Sequence, residues 1–190
     1  MAESLHLIVA HGKPDVRLDI RSAVLPDHRI GAECATVTEL HRAIGNTQPD
    51  LIITGIDFPD GDGLDAVIQI GNESPLPTVV VTSKRTQSLV EKAMQDHVMA
   101  YLLEPVQPDE LSAAIVLALG RFEQLKELSG EVEDLRQALA DRKLIERAKG
   151  ILMGQKSISE TDAFVALRTV AQNERVKLVE IARRILAEQA

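Results

Sequence analysis

The amino-acid sequence predicts an α/β fold, a doubly wound parallel sheet of five βα units, followed by a long coiled-coil helix and a small all-α helical bundle. Two observations lead to this prediction. Within the first 120 residues, short β-branched runs alternate with amphipathic segments, which is typical of a parallel sheet covered on both faces. After Pro108 the alternation ends, and a long stretch with helical periodicity begins.

The strand-like runs of the first part are short, apolar and continuous. In chain order they are Leu5–Ala10, Arg29–Cys34, Asp50–Thr54, Thr78–Thr82 and Ala100–Leu103. The helical segments between them contain Val16 to Val24, Leu40–Ile44, Leu64–Ile70 and Leu89–Met94. In such a sheet ligands gather at the carboxyl ends of the strands. The chemistry of this part is therefore expected in the residues that directly follow each strand.

The stretch after Pro108 carries an apolar side chain at alternating intervals of three and four residues, the heptad pattern of a coiled coil. It starts at Leu111, Ala114 and Ala118, and Arg121 takes the next slot. The predicted dimer seam consists of Leu125, Leu128, Val132, Leu135 and Leu139. A helix packed on its own domain is the alternative, but nothing C-terminal is large enough to cover this stripe. We therefore predict a parallel homodimer.

The last segment predicts a bundle of three helical pieces. The long helix continues through Leu144–Gln155, a second helix follows Ser159, and a third covers about Lys177–Ala187. Ser159 is the expected N-cap, because Asp162 follows it by three residues. The helical spacing of Phe164 predicts a core residue. The predicted domains are residues 1–120, 121–143 and 144–190.

Composition and charge exclude several classes of protein. The 190 residues are 45% hydrophobic and 26% charged with a net charge of −8, as expected for a globular chain rather than a disordered one. We find no membrane span and no signal-peptide pattern. The single cysteine, Cys34, excludes a disulfide framework and a cysteine-rich zinc site. We expect a cytoplasmic protein without metal or cofactor, in which Cys34 is a core residue.

The N-terminal half resembles a response-regulator receiver domain. The resemblance lies in PDLIITGIDFPDGDGLDAV (Pro49–Val67), VVVTS (Val79–Ser83) and YLLEPVQPDEL (Tyr101–Leu111). A receiver transfers a phosphoryl group to an aspartate after its third strand. It also needs an acidic pair that holds Mg²⁺ and a lysine after the fifth strand.

At the matching positions this sequence lacks the reactive groups. The degenerate phosphorylation site that we predict is Ala10, His11, Gly55, Thr82 and Glu104. Ala10 and His11 replace the acidic pair, Gly55 the phosphoacceptor, and Glu104 the lysine; only the hydroxyl of Thr82 remains. Glycine offers no nucleophile, and a carboxylate repels a phosphoryl group. We therefore predict a pseudo-receiver that a partner protein regulates.

Two features of this half leave alternatives open. Asp57, Asp60 and Asp62 are more simply turn residues than a calcium loop or a relocated phosphoacceptor. Tyr101 stands where the family has its aromatic switch residue, and a core tyrosine without a switching role is an equal alternative.

The C-terminal segment resembles the ANTAR domain, the RNA-binding output module of transcription antiterminators. The resemblance lies in AKGILM (Ala148–Met153), AFVALR (Ala163–Arg168) and EIARRIL (Glu180–Leu186). It implies binding to paired RNA hairpins in a leader transcript, which prevents a terminator from forming. With the pseudo-receiver and the coiled coil, the chain resembles the subgroup of the amidase-operon antiterminator, in which a partner protein governs activity.

The charges of this segment agree with an RNA partner. From Arg142 onward there are ten basic and six acidic residues, whereas the rest of the chain has eleven and twenty-three. Such cations supply phosphate contacts. The RNA-binding residues that we predict are Arg142, Arg147, Ala148, Lys149, Gly150, Arg168, Lys177, Arg183 and Arg184. Gly150 in mid-helix indicates close approach, either of a second helix or of an RNA backbone.

Other functions are weaker alternatives. With Phe164 in the core, no aromatic platform is expected for base stacking. A dimeric protein–protein adaptor, whose basic bundle is only a solvated face, is the second hypothesis. A DNA-binding regulator is third, since no helix-turn-helix signature follows Gln155. An enzyme is least expected, because the sequence offers no nucleophile–base set, phosphate loop or metal cluster.

Overall fold

The structure, a computed structural model, describes residues 4–84 and 98–188. The strands are β1 (His6–Ala10), β2 (Arg29–Cys34), β3 (Leu51–Thr54), β4 (Asp57–Phe58), β5 (Gly61–Asp62), β6 (Thr78–Thr82) and β7 (Val98–Leu103). The helices are α1 (Pro14–Val24), α2 (Val37–Thr47), α3 (Gly63–Glu73), α4 (Pro108–Lys156), α5 (Glu160–Glu174) and α6 (Leu178–Ala187). The predicted helix Leu89–Met94 lies outside the described residues. The contacts divide the chain into two compact units, Met1–Lys126 and Glu127–Ala190.

The first unit is built on a parallel sheet of five strands in the order β2-β1-β3-β6-β7. Strands β4 and β5 form a separate antiparallel pair after the end of β3. The crossover between β1 and β3 places the carboxyl ends of both strands side by side, where Ala10 pairs with Thr54. The predicted doubly wound sheet is therefore confirmed, and its strand ends form one edge.

Alternate side chains of the strands pack into separate cores on the two faces of the sheet. On one face Leu7, Val9, Leu51, Ile53, Val79 and Val81 pack with α1 and the start of α4. On the other face Ile8, Ala10, Ile52 and Val80 pack with α2 and α3, and Cys34 is buried among them. Burial raises the pKa of the Cys34 thiol to about 11, which agrees with its predicted place in the core.

Helix α4 begins as part of the first unit. Leu111, Ala114 and Ala118, which the heptad pattern assigned to the coiled coil, are 0–6% exposed and belong to the core of the sheet. For this part of the stripe, the alternative of a helix packed on its own domain is correct. Arg121, the discordant slot, donates from its guanidinium to the carbonyl of Met99 at 2.9 Å.

The predicted seam beyond Arg121 is exposed in the single chain. Leu125, Leu128, Val132, Leu135 and Leu139 are between 44% and 66% exposed. Such a row of large apolar side chains on one helix face is costly in water.

The second unit is a bundle of the end of α4 with α5 and α6. Its core contains Ala148, Leu152, Ala163, Leu167, Ala171, Ile181 and Ala182. The hydroxyl of Ser159 accepts from the backbone N–H of Asp162 at 3.1 Å, so the predicted N-cap is confirmed. The prediction for Phe164 was wrong: its side chain is 39% exposed. The adjacent Ala163 takes the inward position, and the helical rotation between consecutive residues turns Phe164 toward the surface.

Candidate functional site

The carboxyl edge of the sheet holds a buried histidine. His11 directly follows β1, is 2% exposed, and accepts at Nδ1 from the backbone N–H of Lys13 at 3.1 Å. Its Nε2 faces Oε1 of Glu104 at 3.3 Å, so the proton of the neutral ring lies on Nε2. Burial lowers the pKa of His11, although Glu104 opposes that effect. The ring is therefore a neutral donor to the carboxylate.

Glu104 closes the edge from the end of β7. Its carboxylate is 14% exposed and also accepts from Nζ of Lys13 at 2.7 Å. That hydrogen bond raises the pKa of Lys13. The backbone N–H of Glu104 donates to the carbonyl of Thr82 at 3.0 Å. A carboxylate therefore lies where the receiver resemblance predicts a lysine. The cation beside it is Lys13, which follows β1 instead of β7.

Gly55 lies against the ring of His11. A Cβ added at Gly55 would lie 2.3 Å from Cδ2 and 2.7 Å from Nε2 of His11, well inside van der Waals contact. The backbone N–H of Gly55 donates to the carbonyl of Ala10 at 2.7 Å. The imidazole thus occupies the space that a side chain at position 55 would need. Glycine is required here for close approach, not for an unusual backbone angle.

The five residues of the predicted degenerate site are brought together by the strand ends. Ala10 and Thr82 are buried, and the Thr82 hydroxyl accepts from the backbone N–H of Lys84 at 3.2 Å. The arrangement has a neutral imidazole, a paired carboxylate and a buried hydroxyl. It offers no carboxylate at position 55 that could attack a phosphoryl group.

Sequence reasoning missed two lysines at this edge, Lys13 and Lys84. Nζ of Lys84 contacts Oδ1 of Asp57 at 2.5 Å, with both side chains exposed, and this hydrogen bond raises the pKa of Lys84. Both lysines lie two or three residues after the end of a strand, the signal that could have found them. The hydroxyl of Tyr101 donates to the carbonyl of Lys84 at 2.6 Å, and burial raises the pKa of Tyr101.

The neighbouring aspartates hold the local backbone. Asp60 accepts from the N–H groups of Val37 and Thr38 at 2.8 and 3.0 Å, which lower its pKa. Asp62 caps α3 by accepting from Leu64 and Asp65. Asp60 lies in the turn between β4 and β5, as predicted, whereas Asp62 belongs to β5 and caps α3 instead of forming a turn. Residues 4–84 and 98–188 contain no group of three or more metal-ligating side chains.

In the second unit, two predicted RNA-binding residues lie inside the bundle. Ala148 is fully buried in the core. Lys149 is 7% exposed, and its Nζ donates to Oε2 of Glu146 at 2.8 Å and to Oε1 of Glu160 at 2.7 Å. Those hydrogen bonds raise its pKa. Lys149 therefore ties α4 to the first turn of α5, and its charge is already neutralised.

The other predicted cations are exposed but differ in their partners. Arg183 contacts Asp141 at 3.4 Å, and Arg184 forms an ion pair with Glu174. Within the described residues, no ion pair holds Arg142, Arg147, Arg168 or Lys177. These four cations are available to an anionic partner.

Gly150 is exposed on α4, and a Cβ added there would meet nothing within 4 Å. The explanation of Gly150 by packing of a second helix is therefore wrong for the described chain.

Phe164 lies in a shallow concavity between α5 and α6, together with Arg168, Arg175 and Leu178. Nζ of Lys149 is 6.0 Å from the centre of the Phe164 ring, at the outer limit of a cation–π contact. An aromatic side chain that is 39% exposed, in a concavity that two arginines also line, can stack a base while the arginines contact phosphate. The structure thus provides a feature that the sequence analysis had excluded.

A parallel receiver-type sheet followed by a helical output bundle defines a class of signalling regulators. The chain matches the model of the response regulator receiver domain over residues 8–116 and that of the ANTAR domain over residues 133–186. The transcriptional regulatory protein PdtaR of Mycobacterium tuberculosis (strain ATCC 25618 / H37Rv) is 37% identical over 156 residues, across 82% of this chain and 73% of that protein. The nitrate regulatory protein of Klebsiella oxytoca is 43% identical over 67 residues, 35% of this chain and 17% of that protein.

Solved structures agree on the fold of the first unit. A LuxR-family two-component response regulator from Aurantimonas sp. SI85-9A1 aligns with a TM-score of 0.58 at 22% identity, over 62% of this chain and 86% of that chain. The receiver domain of an HD domain-containing protein from Pseudomonas fluorescens Pf-5 aligns with a TM-score of 0.59 at 18% identity, over 67% and 95%. At these identities the likeness concerns the fold alone.

The chain belongs to the response regulators that carry a receiver domain followed by an ANTAR domain. This is a class of RNA-binding antiterminator regulators. No helix in the described part of the chain is long and apolar enough to cross a membrane.

Proposed function

We propose that the protein binds paired hairpins of a leader transcript as a homodimer, prevents a terminator from forming, and is controlled by a partner protein instead of aspartyl phosphorylation. The observation that carries the RNA part is the exposed Phe164 beside Arg168 and Arg175. The protein would act in the cytoplasm, because bacterial transcripts are made in that compartment. The proposed domains are residues 1–120, 121–143 and 144–190.

The proposed RNA surface consists of six cations of the second unit that have no ion-pair partner among the described residues. They are Arg142, Arg147, Arg168 and Lys177, joined by Lys143 and Arg175, and all are exposed. Ala148 and Lys149 act indirectly, by packing and by joining α4 to α5. Gly150 remains among the proposed RNA-binding residues, because the space around it is open and lets an RNA backbone approach. Arg183 and Arg184 become phosphate contacts only by exchanging their carboxylate partners.

The dimer proposal is supported by the charges beside the exposed seam. With Leu125, Val132 and Leu139 at a positions and Leu128 and Leu135 at d, Glu131 takes a g position and Arg136 the following e position. In a parallel coiled coil these two positions face each other across the interface, so Glu131 of each copy meets Arg136 of the other. In the described part of the single chain, the guanidinium of Arg136 contacts the carboxylate of exposed Glu133 at 3.9 Å. Antiparallel pairing would not bring these opposite charges together.

Control by a partner is supported by the histidine that occupies the phosphoacceptor space. With the imidazole of His11 against Gly55 and Glu104 paired to Lys13, the edge is already neutralised and filled. A signal must then reach the receiver domain through its surface, which a protein can bind. The adaptor without a nucleic-acid target is the second candidate, favoured only by the acidic first unit.

Replacing Phe164 by leucine is expected to weaken binding to hairpin RNA by about tenfold or more, because one stacked base contributes about 1–3 kcal/mol. Leucine keeps apolar volume but removes the aromatic face. Gel shifts at fixed salt, against a library of hairpin pairs, measure the effect. Arg168→Gln should also reduce the slope of log affinity against log salt by about one.

The matched control is Val165→Ala, which trims an exposed apolar neighbour on the same helix and should leave RNA affinity unchanged. If Phe164→Leu binds as tightly as the natural protein, the concavity is not the RNA site. If no hairpin pair exceeds bulk RNA by tenfold, the adaptor replaces the antiterminator as the preferred function.

Replacing Gly150 by alanine is expected to stabilise the fold and impair RNA binding at once. Alanine favours the helix by up to about 1 kcal/mol, and the structure has room for the methyl group. A phosphate backbone close to Gly150 would meet that methyl group, so affinity should fall by about fivefold, equivalent to about 1 kcal/mol. Denaturant unfolding and gel shifts measure the two effects.

Gly130 is the control for this substitution, since it lies in the same helix with open space around it. Gly130→Ala should stabilise the protein without changing RNA affinity. Unchanged RNA affinity in Gly150→Ala would show that the RNA backbone does not approach this glycine.

A further inference from the structure

Three exposed basic residues, Arg142, Lys143 and Arg147, follow the seam on α4. Arg142 is the next d position after Leu139, and Lys143 is the e position beside it. The two side chains are exposed and, with Leu139 and Arg147, line a shallow concavity at the end of the seam. At 1.5 Å rise per residue, Arg142 lies only about 4.5 Å along the axis from Leu139.

The acidic neighbours of this cluster are already engaged. Asp141 contacts Arg183 at 3.4 Å and accepts from Nε2 of Gln137 at 2.7 Å. Glu146, which also lines the concavity, is held by Lys149. Within the described residues, Arg142, Lys143 and Arg147 have no carboxylate partner. The cluster thus retains its positive charge in the single chain.

We infer that Arg142 and Lys143 of two copies form a composite site for the RNA phosphate backbone on the dimer axis, and that RNA binding and dimerisation strengthen each other through it. This inference rests on the proposed function. Residues at d positions face the partner helix, so the two Arg142 side chains meet across the seam. Four cations then surround the axis, and Arg147 extends the site outward by one turn.

Without RNA, the two Arg142 charges repel each other and weaken the dimer. At a separation of about 4 Å in water, two like charges oppose association by about fivefold. Phosphates placed between them turn this repulsion into attraction. By linkage, RNA then tightens the dimer by the same factor by which dimerisation tightens RNA binding.

Arg142→Leu in the full-length protein tests the inference. Without RNA, sedimentation equilibrium should give a dimer dissociation constant at least about fivefold lower than that of the natural protein. The difference should shrink at high salt, where charges are screened. With the best tandem-hairpin RNA of the library, affinity should fall, and RNA should tighten the dimer less. The control is Lys126→Leu, which removes one positive charge at a b position that faces away from the seam. It should change neither the dimer dissociation constant nor the RNA affinity.

Each alternative outcome has a distinct meaning. If Arg142→Leu weakens the RNA-free dimer or leaves it unchanged, Arg142 does not meet its counterpart and the inference is wrong. If the dimer tightens while RNA affinity is unchanged, the site on the axis is not an RNA site, and the inference is equally wrong. Failure of the natural protein to bind any hairpin pair would instead contradict the proposed function, whatever the dimer measurements give.

Discussion

Glutamate at both Leu128 and Leu135 is expected to convert the protein from a dimer into a monomer at micromolar concentration. The two leucines are 59% and 66% exposed in the single chain, and the proposed dimer would bury them against a second copy. Four carboxylates in one seam would each need desolvation without a partner, which costs several kcal/mol per charge. Light scattering at micromolar protein measures the mass directly.

The same double variant is expected to lose its preference for tandem hairpins over single ones. In a dimer the second hairpin binds intramolecularly, and such linkage raises overall affinity by about 10²–10⁴-fold. The affinity for a single hairpin should change far less. Val165→Glu, an exposed apolar residue of α5 outside the seam, serves as the control and should remain dimeric. A natural protein that is monomeric at micromolar concentration would refute the coiled coil.

Restoring an aspartate at Gly55 is expected to destabilise the protein without restoring phosphorylation. The new Cβ would lie 2.3 Å from the His11 ring, and the new carboxylate would enter a site that already holds Glu104. Overpacking and an unpaired buried charge together should lower the free energy of unfolding by about 3 kcal/mol or more. Denaturant unfolding measures this loss, and Gly45→Asp, at an exposed position with open space, is the control.

Neither the natural protein nor Gly55→Asp should gain a phosphoryl group from a small-molecule phosphodonor with Mg²⁺, as read by intact mass. The double variant His11→Gly with Gly55→Asp should recover part of the stability, because it removes the ring that the new side chain meets. A base-labile adduct on Asp57 in the natural protein would refute the pseudo-receiver. Full stability of Gly55→Asp would show that His11 does not occupy this space.

Local sequence was enough for the five strands of the parallel sheet and for the described helices, in their order along the chain, but not for the β4–β5 pair. The buried strands are continuous apolar runs because both faces of the sheet are covered, and this pattern is visible without coordinates. The cap at Ser159 follows from residues three apart, so its prediction needed no tertiary knowledge. The receiver resemblance placed the five positions of the degenerate site, and each lies at or directly after the end of a strand, where parallel strand ends share one edge.

The heptad pattern alone gave a wrong prediction for α4, because the start of this helix packs on the sheet whereas the seam further along is exposed. Leu111 and Leu125 occupy equivalent positions in the heptad pattern, yet one is fully buried in the sheet core and the other is 44% exposed. A repeat of apolar residues indicates that one face of the helix is buried. It does not indicate whether that face packs against the same chain or against a second copy. The prediction that Phe164 is a core residue failed for a related reason. A shift of one residue along a helix turns the side chain by about 100°, which is enough to move it from the core to the surface.

By itself the sequence determined the fold class, the absence of the receiver's reactive groups at their matching positions, and the excess of basic residues after Arg142. Only the tertiary structure decided which charges are free: Lys149 is held by Glu146 and Glu160, whereas Arg142 is exposed and has no ion-pair partner among residues 4–84 and 98–188. It also decided that His11 fills the space beside Gly55. The physical reason is that ion pairing and steric exclusion depend on distances of a few ångströms between residues far apart in the chain, which no local pattern specifies.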